Sequence, residues 1–277
     1  MRLTLLLLMI FYGCGGSGDA PPADPVPAHE TLRIPSTVLQ EERVINIWLP
    51  PQYTASTDSF AVLYMPDGGI KEDFPHIANT IAALVAGGEI APVILVGIEN
   101  TQRRRDLTGP SSVPEDAEIA PISDGAALFR SFIATELMLE IEKRYRTRPQ
   151  RAIVGESAAG LFIVETFLLQ PDLFEIYIAM DPAIYWNDHS LVKMAPQKLG
   201  EFPDHPITLW FAASDVIDIY PYNDQLAKVL EEHAPVNLRW KYQKRMDLQH
   251  GTIFRATKEG AFKWAMWPAS GTGLSGQ

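Results

Sequence analysis

The sequence predicts an α/β fold, a mostly parallel sheet of about eight strands covered by helices on both faces. Two observations predict it. Short apolar segments recur along the 277 residues. Most of them alternate with stretches of helical period, the pattern of parallel strands joined by crossover helices. A third observation bears on stability: Cys14 is the single cysteine, so no internal disulfide can form and the core must hold the fold. One catalytic domain over residues 29–268 is expected, with a flexible tail at 269–277.

The order begins with two β-type segments, Glu30 to Ile34 and Arg43 to Leu49. They lie too close for a crossover helix, so an antiparallel start is expected. Ser59 to Met65 reads as a buried strand running into Pro66-Asp67-Gly68-Gly69. Phe74 to Val85 reads as a helix and Ala91 to Ile98 as a strand. A polar loop, Glu99 to Ser123, follows. Gly125 to Tyr145 has helical period, with Leu128, Phe132, Leu137 and Ile141 on one side. Arg151 to Val154 is a short strand, and Ala158 to Leu169 is a strongly apolar helix. Ile176 to Met180 and Ile207 to Ala213 are buried strands. Asn223 to His233 is a helix, Val236 to Lys241 a strand, and Thr257 to Trp267 the last helix.

The first residues do not read as fold. Met1-Arg2 precedes an apolar run from Leu3 to Tyr12, too short to span a bilayer. This is the pattern of a secretory signal peptide, assigned to residues 1–13. Gly13-Cys14 resembles a bacterial lipoprotein signal, in which the cysteine is lipidated and becomes the new N-terminus. Phe11 and Tyr12 depart from its usual residues. Residues 14–28, rich in Gly, Pro and Ala, read as a lipidated or flexible linker. The expected location is the bacterial cell envelope, with a membrane contact through Cys14, or secretion.

Composition narrows the function. Hydrophobic residues make up 47% and charged residues 21%, ordinary for a soluble globular enzyme. A net charge of -11 repels phosphate backbones, so nucleic acid is not an expected partner. The histidines are scattered, without metal-ligand spacing, so neither metal nor other cofactor is expected.

Gly155-Glu156-Ser157-Ala158-Ala159-Gly160 lies between a strand and a helix. A nucleophile elbow turns there so sharply that its serine projects from the sheet, and the residues two places away must be small. Gly155 and Ala159 meet that condition. A serine capping an ordinary helix would share the bare motif, but not the run from apolar strand to apolar helix. Ser157 is therefore the candidate nucleophile, with the Ala158 N–H as an oxyanion donor.

Such folds order their residues as serine, acid, histidine. His250 follows the last expected strand and precedes the last expected helix, in a loop where the base belongs. The acid is expected after the strand Ile207 to Ala213. Asp215 is nearest the strand end, Asp218 is the alternative, and a third possibility is a working dyad in which something else orients the histidine.

These residues carry a resemblance. The chain resembles the putative-esterase family of α/β-hydrolases that includes enterochelin esterases and esterase D, over most of Arg43 to Trp267. Val62 to Gly68 is similar to the family's strand ending in Asp-Gly. Arg103-Arg104-Arg105-Asp106-Leu107-Thr108 is similar to its Arg-x-Arg-Asp-Leu-Thr loop. Phe129 to Thr147 resembles its long helix before the nucleophile strand. Pro171-Asp172-Leu173-Phe174 and His250-Gly251-Thr252 also match.

The resemblance implies an α/β-hydrolase fold and metal-free hydrolysis of a small carboxylic ester through an acyl-enzyme. By position, Gly68 or Gly69 would supply the second oxyanion N–H. Arg103, Arg104 and Arg105 would either receive the substrate, Arg103 and Arg105 foremost, or pair with local carboxylates. Tyr185 and Trp186 would line a pocket or pack in the core. Asp181, where relatives often have Ser-Pro, is expected either to bind a polar substrate group or, as the preferred reading, to salt-bridge an arginine. Two rival functions use the same scaffold: acyl transfer to an alcohol other than water, and a non-catalytic envelope-anchored binding protein. The intact Ser157 and His250 argue against the second.

Overall fold

The computed structural model describes residues 24–269. The expected signal peptide, Cys14 and the linker as far as residue 23 lie outside the described residues, as does the tail from residue 270. The described end of the linker is docked on the domain. Asp24 pairs with Arg255 at 2.5 Å, and the Pro25 carbonyl accepts from Asn79 at 2.8 Å.

In chain order the elements are β1 (Glu30–Ser36), β2 (Glu41–Trp48), α1 (Gln52–Ala55), β3 (Phe60–Pro66), α2 (Phe74–Ala86), β4 (Val93–Ile98), α3 (Arg103–Leu107) and α4 (Asp116–Ile119). Then come α5 (Ala126–Phe132), a π turn (Ile133–Leu137), α6 (Met138–Arg144), β5 (Thr147–Glu156) and α7 (Ala158–Leu169). A 3₁₀ turn (Pro171–Leu173) leads to β6 (Ile176–Met180), α8 (Trp186–Gly200), β7 (Ile207–Ala213), α9 (Tyr220–His233), β8 (Leu238–Lys244) and α10 (His250–Ala265).

The eight strands form one sheet in the order β1-β2-β4-β3-β5-β6-β7-β8. β1, β2 and β4 pair antiparallel, and every other pair is parallel. This is an α/β-hydrolase sheet with the antiparallel start that the short first connection required. β3, β4 and β6 are buried along their whole length. Strands covered on both faces read as continuous apolar runs, and Val93–Ile98 (VILVGI) is such a run.

Two apolar layers flank the sheet. One contains Phe129, Phe132, Phe162, Phe167, Leu191 and Leu226, from α5, α7, α8 and α9. The other contains Phe74, Ile77, Ile81, Ile253, Phe254 and Phe262, from α2 and α10. Helix α7 is apolar on nearly every side, and Ala159 through Leu168 are all buried, Glu165 against Arg130, as expected of a helix enclosed by its neighbours.

Three local differences from the sequence expectation have physical causes. The helix expected over Gly125 to Tyr145 carries a π turn, which delivers Glu136 to the end of β1. There its carboxylate accepts from the Ser36 hydroxyl at 2.5 Å and from the Thr37 backbone N–H at 2.9 Å. Helix α8 was not expected. It opens with a left-handed turn, Asn187, Asp188 and His189 having φ of 49°, 50° and 47°. Residues in that region break the periodicity by which helices are read. Helix α10 starts at His250 rather than Thr257. Gln249 and Thr252 cap it reciprocally, so Gly251 does not delay it.

Candidate active site

The C-terminal ends of the parallel strands gather the site, as in other open α/β sheets. β5 runs into Ser157, which sits at φ 59° and ψ -115°, a conformation that L residues rarely adopt. The elbow is tied to its neighbour: the Ser157 N–H donates to Met180 O at 2.9 Å, and the Ala183 N–H donates to Ser157 O at 3.1 Å. Small residues permit the turn. A Cβ on Gly155 would lie 2.6 Å from Ala159 Cβ, and one on Gly160 would lie 2.9 Å from Pro182 Cα.

His250 opens α10, and its Nε2 stands 3.1 Å from Ser157 Oγ. Its Nδ1 stands 2.6 Å from Asp181 Oδ2. The three side chains therefore form one hydrogen-bonded chain, with His250 donating through Nδ1–H and Nε2 open to accept the serine proton.

The carboxylate beside His250 is that of Asp181, and this corrects the assignment of Asp215 or Asp218. Asp181 is fully buried immediately after β6, at φ 45°. Among the described residues it makes no arginine pair. Its other bonds come from Ser214, whose N–H donates to Oδ1 at 2.8 Å and whose hydroxyl donates to Oδ2 at 2.5 Å. Asp215 and Asp218 are exposed one strand further on. The Asp215 N–H donates to Leu248 O at 3.0 Å, which turns that residue into a backbone tie.

Hydrogen bonding to Asp181 raises the His250 pKa above its ordinary value, and burial opposes the rise. Glu156, the last residue of β5 and next to Ser157, is pushed up to about 7, chiefly by burial, and its Oε1 is buried without a hydrogen-bond partner among the described residues.

The second oxyanion donor is also corrected. The Gly68 N–H donates to Ile98 O at 2.9 Å, and the Gly69 N–H donates to Glu72 Oε2 at 2.7 Å. Both N–H groups are already committed. Glycine is needed at 68 for another reason: a Cβ there would lie 2.2 Å from the Ile98 backbone nitrogen. Ala158 lies beside Ser157 in the wall of the cavity, in the first turn of α7, where N–H groups lack intrahelical acceptors.

The arginine run divides by role. Arg103 reaches the site. It grips Asp67 with Nε to Oδ1 at 2.6 Å and Nη2 to Oδ2 at 2.7 Å, and it lines the cavity with Ser157. Arg105 does not line this cavity, contrary to its assignment as a substrate contact. It donates to Glu41 at 2.8 Å and to Asp106 at 2.7 Å, next to the fully buried Arg43, which also binds both carboxylates. Arg104, the middle residue of the run, also lines the cavity.

That cavity encloses about 120 Å³ between Ser157, Leu161, Ala183, Tyr185, Trp186 and the arginines. The Trp186 indole donates to Gly109 O at 3.0 Å, so its ring stands fixed as a wall. Tyr185 and Ile119 also border an outer cavity of about 740 Å³.

The chain is similar to known proteins in sequence and in fold. The model of the family described as Putative esterase matches residues 36–255. The chain is 34% identical over 199 residues to the ferri-bacillibactin esterase BesA of Bacillus subtilis, covering 65% of this chain and 69% of that protein. It is 27% identical over 184 residues to a siderophore triacetylfusarinine C esterase of Aspergillus fumigatus, covering 61% of each. Among solved structures it is similar to an IroE-like serine hydrolase from Shewanella oneidensis, with TM-score 0.78 and 26% identity, over 86% of this chain and 79% of that one. With its elbow serine at the end of β5 and the family model spanning β2 to α10, the chain belongs to the Putative esterase family and is a serine esterase.

Proposed function

We propose that the protein hydrolyses carboxylic esters through an acyl-enzyme on Ser157, acting on aryl-bearing esters of the siderophore kind. One observation carries the mechanism, the continuous path Ser157 Oγ to His250 Nε2 at 3.1 Å and His250 Nδ1 to Asp181 Oδ2 at 2.6 Å. His250 takes the serine proton as Oγ attacks the ester carbonyl. The Ala158 N–H receives the oxyanion, and the Arg103 guanidinium adds positive charge at the cavity wall. The protonated His250 gives its proton to the departing alcohol. A water molecule, deprotonated by the same nitrogen, then releases the acid and restores Ser157. Asp181 keeps Nδ1 protonated and steadies the imidazolium that forms.

The aryl-ester reading draws support from the names of the relatives and from the Tyr185, Trp186 and Leu161 walls beside the nucleophile. Labelling by a fluorophosphonate tests the nucleophile. Adduct formation at Ser157, with labelling and turnover of p-nitrophenyl and catecholate esters lost in Ser157→Ala, is the expected result. Wild-type protein that stays unlabelled and inactive would refute it. Turnover that rises with added alcohol and yields a new ester would replace hydrolysis by acyl transfer. Residues 1–27 support an envelope location with Cys14 as lipid attachment point. Metabolic labelling with radioactive palmitate, expected for the full chain and absent in Cys14→Ala, tests that.

A further inference from the structure

Two neighbouring cavities at the active site differ in the charges that line them. The inner cavity, next to Ser157, is lined by Arg103 and Arg104. Ile119 and Tyr185 are shared walls, and on their other side lies the outer cavity of about 740 Å³. That volume suits a drug-sized group, several times larger than the inner chamber. Its apolar and aromatic walls include Val216, Ile219 and Tyr222, and its charged lining residues are all acidic: Asp116, Asp188 and Asp218. Among the described residues, no Lys or Arg lines it.

The three carboxylates differ in how they are held. Asp116 is buried and accepts only from neutral donors, the Ser111 hydroxyl at 2.6 Å and the Asn187 N–H at 2.8 Å. Its charge is therefore not cancelled. Asp188 pairs with Lys193 at 2.5 Å in an exposed bridge. Asp218 is exposed at the rim, beside Val216 and Ile219. The Tyr185 hydroxyl feels both sides of the boundary. Burial raises its pKa first, the charges of Asp116 and Asp218 raise it further, and Arg104 lowers it.

We propose that the outer cavity is a specificity subsite that favours esters whose distal part is aromatic and neutral or cationic, and that rejects a distal anion. The inference rests on ester hydrolysis at Ser157. The carbonyl reacts in the inner chamber, beside Arg104 and the Asp67-paired Arg103, where charge develops in the transition state. The far end of the substrate rests against Tyr185, Tyr222 and Ile219 in a field set by the carboxylates. A distal ammonium is attracted there. A distal sulfonate or carboxylate meets like charge at a cavity open to solvent, so the repulsion is modest and screened by salt. Asp218, at the open edge, sets the preference that can be altered without disturbing a buried group.

The test is a matched set of p-nitrophenyl esters whose acyl part ends in a trimethylammoniophenyl, a tert-butylphenyl or a sulfophenyl group. A mirrored set carries the same groups on the alcohol. The expected order of kcat/KM in at least one set is cationic, then neutral, then anionic. Roughly tenfold should separate the extremes at low ionic strength, and the gap should shrink in high salt. Asp218→Lys should level or invert the order. Glu231→Lys, an equal charge change at an exposed site on α9, should keep it. Equal rates across both sets, or an Asp218→Lys variant with the wild-type order, would overturn the inference. If p-nitrophenyl acetate is also inert and Ser157 takes no fluorophosphonate, the hydrolytic reading itself has failed. If both succeed and the charge series is flat, only the subsite assignment has failed.

Discussion

The loops after β6 and β7 begin alike, yet they do different work. β6 ends at Met180 and hands the chain to Asp181-Pro182, while β7 ends at Ala213 and hands it to Ser214-Asp215. Both place a carboxylate just beyond a buried strand on the same edge of the sheet. Only the first reaches His250. The second loop acts as a bracket. Ser214 binds Asp181 through its N–H and its hydroxyl. The Arg245 N–H donates to Ala213 O at 2.7 Å, and Asp215 ties to Leu248, so the turn leading into His250 is hung from the same loop. One strand end supplies the acid, and its neighbour holds acid and base in register. A side chain needed for charge is buried, and the side chains that only position it can be short and neutral.

Four substitutions break or sharpen that contrast. The largest effect is expected from Asp181→Asn, which leaves the shape but no longer fixes the tautomer of His250. A fall in kcat of about 10³ to 10⁴ is expected in steady-state ester hydrolysis. Asp215→Asn should change kcat by less than about threefold, because its side chain takes no part in the chain of hydrogen bonds. Equal losses in these two variants would abolish the distinction between the loops.

Ser214→Ala removes a donor from a fully buried carboxylate. A loss of about 1–3 kcal/mol in the stabilisation of Asp181 is expected, read as a roughly tenfold or greater fall in kcat with little change in KM.

The third effect is a pH shift. His250 must be neutral to accept the serine proton, and its pKa is raised by Asp181 and further by the charge of Glu156. Activity is therefore lost as pH falls through a midpoint above the ordinary histidine value. Glu156 titrates near 7 and is anionic above that pH. Glu156→Gln takes away the negative charge that helps hold the imidazolium proton. The acid limb of kcat/KM should move to lower pH, and a shift upward would refute the coupling.

Much of this was legible in the sequence, and the failures are instructive. Ser157 and His250 could be chosen because chain order and local context restrict them strongly. Asp181 could not, because a carboxylate after either of two neighbouring strands satisfies the same order. Its signal was present all the same: an aspartate directly before proline, at the end of an unbroken apolar strand, with no cation near it in the chain. Gly68 misled for a different reason. A glycine that lets a backbone approach a ligand and one that lets it approach β4 look identical in sequence. The arginine run likewise could not be divided, since Arg103 and Arg105 differ only in which carboxylate the fold brings to them, Asp67 for one and Glu41 with Asp106 for the other. The parallel core was easy to read because strands covered on both faces leave uninterrupted apolar runs. Helix α8 was hard because its first turn winds the wrong way.

The smallest expected effect concerns the fold alone. Ser157 is held at φ 59°, where glycine is at ease and serine is not. Ser157→Gly should raise the thermal midpoint, by a stability of about 1 kcal/mol. Unfolding followed by circular dichroism checks it, and an unchanged or lower midpoint would show that the elbow is relaxed. If the midpoint rises, there is a consequence for descent. Every lineage that keeps the serine does so against a slightly more stable alternative, so only continued use of the reaction preserves it. Copies of this fold released from that demand should lose the elbow serine early, while the sheet beneath it persists.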